Sequence, residues 1–363
     1  MKACPKGELP GLGRVKLAAR FGWIRRFRRR PRLSSIIYAI MPLSEKILIQ
    51  RIRKQVKKGR GGIVIKGIGD DCAILRIPQG NKNEALVTTD FSLEGVHFRR
   101  DWHPAESVGH RCLARGLSDI AAMGGTPLAV FLSLALPVNV PQSWVDGFLR
   151  GLLKLAHKYG VQLAGGDTAQ SPAGVLADII VVGAAPKGKA VRRSGARLGD
   201  GIYVTGKLGG AAAAPGLLYA GKKLRPSGYS RHFYPEPRIA VGKYLREKAL
   251  ASAMIDSSDG LSTDLMHICK ESDVGAEIEE SLIPRAMVGK SSQAVDMKFA
   301  LHGGEDYELL FTASRSKKIP REIAGVAITR IGVITKAKHM MLRDSRGEKI
   351  KLRPRGWEHF SRN

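Results

Sequence analysis

The chain has 363 residues, 44% of them hydrophobic and 25% charged. That length exceeds what a single core usually fills, and the composition is ordinary globular usage, so a disordered chain is excluded and two domains are expected. Lys and Arg number 60 against 32 Asp and Glu, a net charge of +28; such a surface attracts polyanions, yet charge alone does not choose among nucleic acid, anionic lipid, phosphorylated small molecules and a basic face that is simply solvated.

Residues 1–40 hold eleven Lys and Arg against the single acid Glu8 and include the Arg-rich stretch RRFRRRPR, ahead of SSIIYAI. They show neither helical nor strand periodicity, and three readings stand: an extension ahead of a start at Met41, an acid-poor targeting segment, and a nucleic-acid-binding arm. From Met41 a new segment opens, in which Ser44 caps a predicted helix through Ile47, Leu48, Ile52 and Val56. After Gly59, β-rich runs alternate with longer helical stretches. Strands are predicted at 72–75, 86–89, 131–136, 178–182, 202–205 and 254–255. Helices are predicted at 105–123 and 143–158, the second with Trp144, Phe148, Leu152 and Leu155 on one face and a stop at Gly160.

The expected class is therefore mixed α/β. A composition break at Ala185-Pro-Lys-Gly-Lys divides it into a basic extension (1–40), an N-terminal domain (41–185) and a C-terminal domain (186–363). No apolar run approaches the ~18 residues needed to span a bilayer. Cys4, Cys72, Cys112 and Cys269 are scattered without a Cys-x-x-Cys pair, as expected for reduced, mostly buried thiols in a cytoplasmic protein. His97, His103 and His110 lie six and seven residues apart, a spacing that matches no helical ligand face.

Acids are scarce, yet aspartates recur beside glycine or at the ends of apolar strands: Gly69-Asp70-Asp71, Thr88-Thr89-Asp90, Gly165-Gly166-Asp167 and Asp256-Ser257-Ser258-Asp259-Gly260. A strand that delivers a carboxylate at its end, next to glycines that allow close approach, suits a hard divalent cation. Each pair taken singly also reads as a turn. Asp119 joins the group through a helix face on which Arg111, Arg115 and Asp119 stand at i, i+4 and i+8, a spacing that also suits a surface ion-pair ladder. The small, apolar run Ala121 to Gly125 that follows places this helix end near a packed site. Several carboxylates focused on one place need cations, and Mg2+ shared with a nucleoside triphosphate meets that need.

Two phosphate-loop patterns are decoys. Gly201-Ile-Tyr-Val-Thr-Gly206-Lys207 is followed by Leu208 where Ser or Thr should stand, and its middle reads as strand. Gly67-Ile-Gly69 runs into Asp70-Asp71 where a dinucleotide loop needs neutral backbone.

In order along the chain, GIGDDCAIL, TTDFSLEGVHF, SDIAAMGGTP, AGGDT, RRSGARLGDGIYVTG, IDSSDGLSTDL and HGGEDYELLFT resemble the thiamine-monophosphate kinase family, over roughly residues 43–360. That family lies in the aminoimidazole ribonucleotide synthetase superfamily, whose members bind ATP without a P-loop. The resemblance implies a two-domain α/β fold, a homodimer with a barrel-like interface between N-terminal domains, and a cytoplasmic enzyme that uses ATP and several Mg2+ ions to turn thiamine monophosphate into thiamine diphosphate, the last step of its formation.

Carried over position by position, the resemblance implies Mg2+ ligands at Asp71, Thr88, Thr89, Asp90, Asp119, Asp167, Asp256 and Asp259, with Asp70 in support. ATP contacts fall at Gly166, Asp167, Arg193 and Ser258, and substrate contacts at His97, Glu305 and Trp357. An aromatic plane can stack on a thiamine ring, and a glutamate can offset its thiazolium charge. The implied chemistry is direct in-line transfer without an acid-base residue, since a phosphate monoester is already ionised near neutral pH. Two rivals remain: another member of the superfamily, which would not be expected to carry both GGEDYEL and GWEHF, and a nucleic-acid-binding protein built on residues 1–40, which leaves the aspartates unexplained.

Overall fold

A computed structural model describes residues 64–66, 68–76, 82–289 and 293–358, with Ile47 and Gln50 as single helical positions. Residues 1–40, and the rest of the helix expected after Ser44, lie outside the described residues. Those described belong to one unit, Ser44–Ser361.

The first sheet has six strands: β1 (Val64–Lys66), β2 (Ala73–Arg76), β3 (Asn83–Leu93), β4 (Thr126–Leu136), β5 (Gln162–Gln170) and β6 (Leu176–Pro186), in the order β1-β2-β3-β6-β4-β5. All pairs are antiparallel except β4 with β5. Alternation along β3 turns Leu86, Thr88 and Ser92 inward and Thr89 and Phe91 outward. Helix α1 (Ala105–Ala122) covers the inner face, where Ile179 and Val181 of β6 are fully buried with Leu113, Leu117 and Ile120 of α1. Helix α2 (Gln142–Lys158) packs on α1 and turns Phe148, Leu152 and Leu155 into the same core. The two helix backbones nearly touch. A Cβ on Gly109 would meet the Phe148 carbonyl oxygen at 1.8 Å, and one on Gly151 the Glu106 carbonyl oxygen at 1.9 Å, so only glycine permits this crossing.

The remaining large sheet has eight strands: β7 (Gly201–Thr205), β8 (Ala253–Asp256), β9 (Gly275–Glu279), β12 (Leu309–Ala313), β13 (Glu322–Ile323), β14 (Val326–Thr335), β15 (Met340–Arg343) and β16 (Lys349–Lys351). Their order is β16-β15-β9-β14-β7-β12-β8, with β13 paired to β14. The short strands β10 (Met287–Val288) and β11 (Gln293–Ala294) form a hairpin apart from it. Between β7 and β8 lie α3 (Pro215–Tyr219), α4 (Ser230–Phe233) and α5 (Ile239–Glu247); α6 (Leu261–Ser272) follows β8 and α7 (Met297–His302) precedes β12.

Strands β8 and β12 of the second sheet are buried on both faces. Along β12, Leu309, Phe311 and Ala313 enter the core shared with α1, while Leu310 enters a second core with Ile255, Leu265 and Ile268, which is why the strand, Leu-Leu-Phe-Thr-Ala, shows no polar alternation. The expected phosphate-loop decoy is strand β7, as its residues suggested.

Strand β5, like β1 and β9 to β16, was not among the predicted strands. QLAGGDTAQ holds few strand formers, and eight of its nine residues are exposed, so no alternation marks it. Cys72, Cys112 and Cys269 are buried free thiols. Among the described residues no helix is long and apolar enough to cross a membrane.

Candidate functional site

Four elements deliver acids to one place. The loop before β2 supplies Asp71, the inner face of β3 supplies Thr88 and Asp90, the last turn of α1 supplies Asp119, and β8 ends in Asp256. Asp71, Asp119 and Asp256 each offer a carboxylate oxygen, all within 4.8 Å of one another, with Asp71 and Asp256 buried and Asp119 half-buried. The sequence spacing had allowed Arg111, Arg115 and Asp119 to be a surface ladder; instead Asp119 faces this cluster and accepts a hydrogen bond from Thr88 Oγ1.

The cluster is electrostatically unfavourable by itself. Burial, then the charges of Asp90, Asp256 and Asp71, pushes the Asp119 carboxyl well above its usual range. Burial, then Asp71, lifts Asp256 to about 8 although Ser118 Oγ donates to its Oδ2 at 2.7 Å. Burial likewise raises Asp90, with Arg115 opposing. Arg193 balances Asp71 through Nη2 to Oδ1 at 3.0 Å and Nε to Oδ2 at 3.1 Å, and its backbone N–H reaches Asp70 Oδ1 at 3.1 Å. Asp70 Oδ2 is buried and, among the described residues, has no hydrogen-bond partner, Lys66 Nζ standing 3.6 Å away. An all-oxygen, mutually repelling donor set with an orphaned buried oxygen beside it fits a hard divalent cation such as Mg2+.

Other expected ligands stand apart. Thr89 points to the opposite face of β3, where its Oγ1 donates to Asp178 Oδ1 at 2.7 Å. Gly166 and Asp167 lie on β5, three places from β3 in the sheet, and exposed Asp167 accepts from the Thr168 N–H at 2.8 Å. Gly166 has φ +154°, and a Cβ there would meet the Leu132 carbonyl oxygen at 1.8 Å. Asp259 and Ser258 sit in the turn after β8. The turn is tied to the Glu305 loop by Glu305 N–H to Ser258 O at 2.8 Å and Tyr307 N–H to Ser257 O at 2.9 Å. That loop holds Glu305 at φ +66° and Tyr307 at φ +51°, a left-handed strain that clusters at functional sites.

A cavity of about 70 Å³ is lined by residues that include His97, Trp102, His103, Tyr219, His232 and Glu305. Arg111 Nη2 grips Glu305 Oε1 at 2.8 Å and Oε2 at 2.7 Å and also reaches the His97 carbonyl at 3.1 Å. Burial alone would raise the Glu305 carboxyl, but Arg111 and Arg115 hold it down at about 2. The glutamate expected to await a cation is therefore already paired. His103 Nε2 and His232 Nε2 are 3.0 Å apart, and burial pulls the rings down to about 4 and about 3. Trp102 meets Tyr219 edge-on at 4.6 Å, with Arg99 4.4 Å above its ring.

Of the three expected substrate contacts, His97 and Glu305 share this cavity. Trp357, half exposed, lies instead over the turn after β8, its N–H donating to Asp259 O at 3.1 Å. Sequence reasoning passed over Trp102, Tyr219 and His232, since only the tertiary fold brings them together. It also passed over Ser118, whose position one residue before Asp119 was a usable signal.

Residues 69–185 match the family model for AIR synthase related protein, N-terminal domain. The chain is 39% identical over 332 residues to thiamine-monophosphate kinase of Escherichia coli (strain K12), covering 88% of this chain and 99% of that protein. It is similar to the solved structure of AaThiL complexed with AMPPCP and TMP, with a TM-score of 0.75 and 31% identity over 91% of this chain and 99% of that one. The crystal structure of thiamine-monophosphate kinase from Stenotrophomonas maltophilia K279a gives a TM-score of 0.66 and 34% identity over 85% of this chain and 99% of that one.

Proposed function

The chain belongs to the thiamine-monophosphate kinase family, and from that premise we propose that it transfers the γ-phosphoryl group of ATP to thiamine monophosphate, giving thiamine diphosphate. The observation that carries the reading is that one helix, α1, bears Asp119 of the Asp71–Asp119–Asp256 cluster and, two turns earlier, Arg111, which holds Glu305 of the His97–Glu305 cavity. One part suits a metal-bound triphosphate, the other a ring.

The proposed Mg2+ ligands are Asp71, Thr88, Thr89, Asp90, Asp119, Asp167, Asp256 and Asp259, with Asp70 behind them. Asp71, Thr88, Asp90, Asp119 and Asp256 already converge; Thr89, Asp167 and Asp259 stand apart, which suits several ions rather than one. Bound Mg2+ supplies charge neutralisation and orientation of phosphate oxygens. Gly166, Asp167, Arg193 and Ser258 are assigned to ATP, and the close approach of Gly166 to Leu132 supports a backbone kept bare on that strand. His97, Glu305 and Trp357 are assigned to the acceptor.

The protein's own part is positional. Arg193 holds Asp71, Ser118 holds Asp256, Thr88 holds Asp119 and Arg111 holds Glu305. Fixed groups of this kind stabilise an in-line transfer without reorganising. No base need remove a proton from a phosphate oxygen.

Residues 41–185 and 186–363 form the two lobes in this reading, and residues 1–40 an extension whose basic charge suits nucleic acid but serves no step of the reaction. A homodimer paired through the outer face of the first sheet is supported by Phe91, Leu128 and Phe131, which are 55%, 53% and 37% exposed. A cytoplasmic location is supported by the buried free thiols. The test is ADP release in a coupled assay: it should require both thiamine monophosphate and Mg2+. Release without the monophosphate marks an ATPase, and no release under any of these conditions contradicts the proposal.

A further inference from the structure

Arg115 belongs to neither group of residues assigned above, yet it stands between them. Helix α1 acts as a ruler: Arg111, Arg115 and Asp119 are successive residues on one face, each step a rise of about 6 Å. At one end Arg111 clamps Glu305 and the His97 carbonyl; at the other Asp119 belongs to the acid cluster. In the middle, Arg115 Nη1 is 4.0 Å from Glu305 Oε1, too far for a hydrogen bond.

Its Nε–H is buried and, among the described residues, has no hydrogen-bond partner. Such a donor is rare in a native protein and calls for an explanation. Asp90, Glu305, Tyr307 and Cys112 lie close enough to act electrostatically on the guanidinium. Both carboxylates balance its charge from a distance and neither takes that N–H. A planar cationic fork with a free donor, inside a place otherwise lined by carboxylates, matches one ligand class above others, a phosphate oxygen.

We propose that Arg115 is a phosphate-binding residue of this site, donating to the phosphate of the acceptor where that group leaves the His97–Glu305 cavity for the aspartate cluster. The proposal rests on the thiamine-monophosphate reading above. Beside α1 the site then presents Glu305, paired by Arg111, next Arg115 and then Asp119. They complement the thiazolium cation, its phosphate and the metal in turn. A residue that only balanced Asp90 would serve either form of the vitamin equally, whereas a phosphate-binding residue distinguishes thiamine monophosphate from thiamine.

The test uses the full chain with Arg115→Ala and Arg115→Lys. The alanine variant should lose about 100-fold in kcat/KM for thiamine monophosphate, the scale seen when one transition-state donor is removed. Its Kd for the monophosphate should rise at least about tenfold while the inhibition constant of free thiamine stays within about twofold, since charge-assisted bonds to phosphate are the strong ones. Added guanidinium should restore part of the activity. The lysine variant keeps the charge that Asp90 and Glu305 face, so it retains the fold even where alanine does not; it should show a raised KM for the monophosphate and an unchanged KM for ATP. Equal weakening of both vitamin forms, or lysine kinetics like the wild type, overturns the assignment. Wild-type protein that makes no thiamine diphosphate overturns the functional reading and this proposal together, while active wild type with an unaffected alanine variant overturns the Arg115 role alone.

Discussion

Replacing Glu305 by Gln should destabilise the protein by about 3 kcal/mol at pH 7, and by much less in acid. The carboxylate accepts from Arg111 Nη2 through both oxygens, lies 4.0 Å from Arg115 Nη1, and is only 27% exposed as a side chain. Burial opposes its charge, but the two arginines outweigh burial and bring it from 4.5 to about 2. At about 1.4 kcal/mol per pH unit, that interval gives the 3 kcal/mol. The sign follows from the direction: a group whose folded pKa is depressed contributes fully above its unfolded pKa, and its contribution disappears as pH falls through the folded one. Glutamine is neutral throughout, so the gap between wild type and variant should shrink from about 3 kcal/mol at pH 7 to about 1 kcal/mol at pH 3. Urea unfolding of both proteins at the two pH values measures it. A gap below about 1 kcal/mol at pH 7, or one that does not change with pH, refutes the claim that Arg111 and Arg115 hold this carboxylate ionised in the fold.

Asp90→Asn should lower turnover about 100-fold or more with the melting temperature nearly unchanged; unaltered turnover sinks the metal assignment. Gly166→Ala puts a Cβ 1.8 Å from the Leu132 carbonyl oxygen, so β5 must shift, and the KM for ATP should rise more than that for thiamine monophosphate; equal KM values in variant and wild type contradict the placement of ATP at this strand. His103 is depressed from 6.5 to about 4 by burial first and Arg111 second, so the fold keeps it neutral while the unfolded chain protonates below 6.5. Stability must fall with pH in that window, and His103→Gln should remove about 2 kcal/mol of the loss between pH 6.5 and 5, as read by urea unfolding at both values. An identical acid slope in the variant rules out a neutral buried ring.

Much of the site was legible because it lies at strand ends. Met254 and Ile255 read as strand, and the carboxylate that follows, Asp256, closes β8 and is 2% exposed. Alternation along β3 puts Thr88 and Asp90 on one face and Thr89 on the other, a separation that the expected ligand set, with all three together, did not make. What stayed hidden depends on long-range packing. Arg111 meets Glu305 across 194 positions, so the helix-face spacing with Asp119 pointed to a local ladder when the partner was distant. Tyr219 reaches Trp102 through a five-residue helix with no periodic signature. Strand β5 was not among the predicted strands because an exposed edge strand buries too little to impose a pattern. Trp357 was grouped with His97 and Glu305 through the family's motif alone; in the fold its backbone N–H donates to Asp259 O, in the turn that Ser258 ties to Glu305.

The most direct measurement is chromatographic identification of the product after incubating the full chain with ATP, Mg2+ and thiamine monophosphate, with free thiamine as a parallel acceptor. The account predicts thiamine diphosphate from the monophosphate alone, and none when Mg2+ is chelated. Phosphorylation of free thiamine, or no thiamine diphosphate from folded protein, would contradict it.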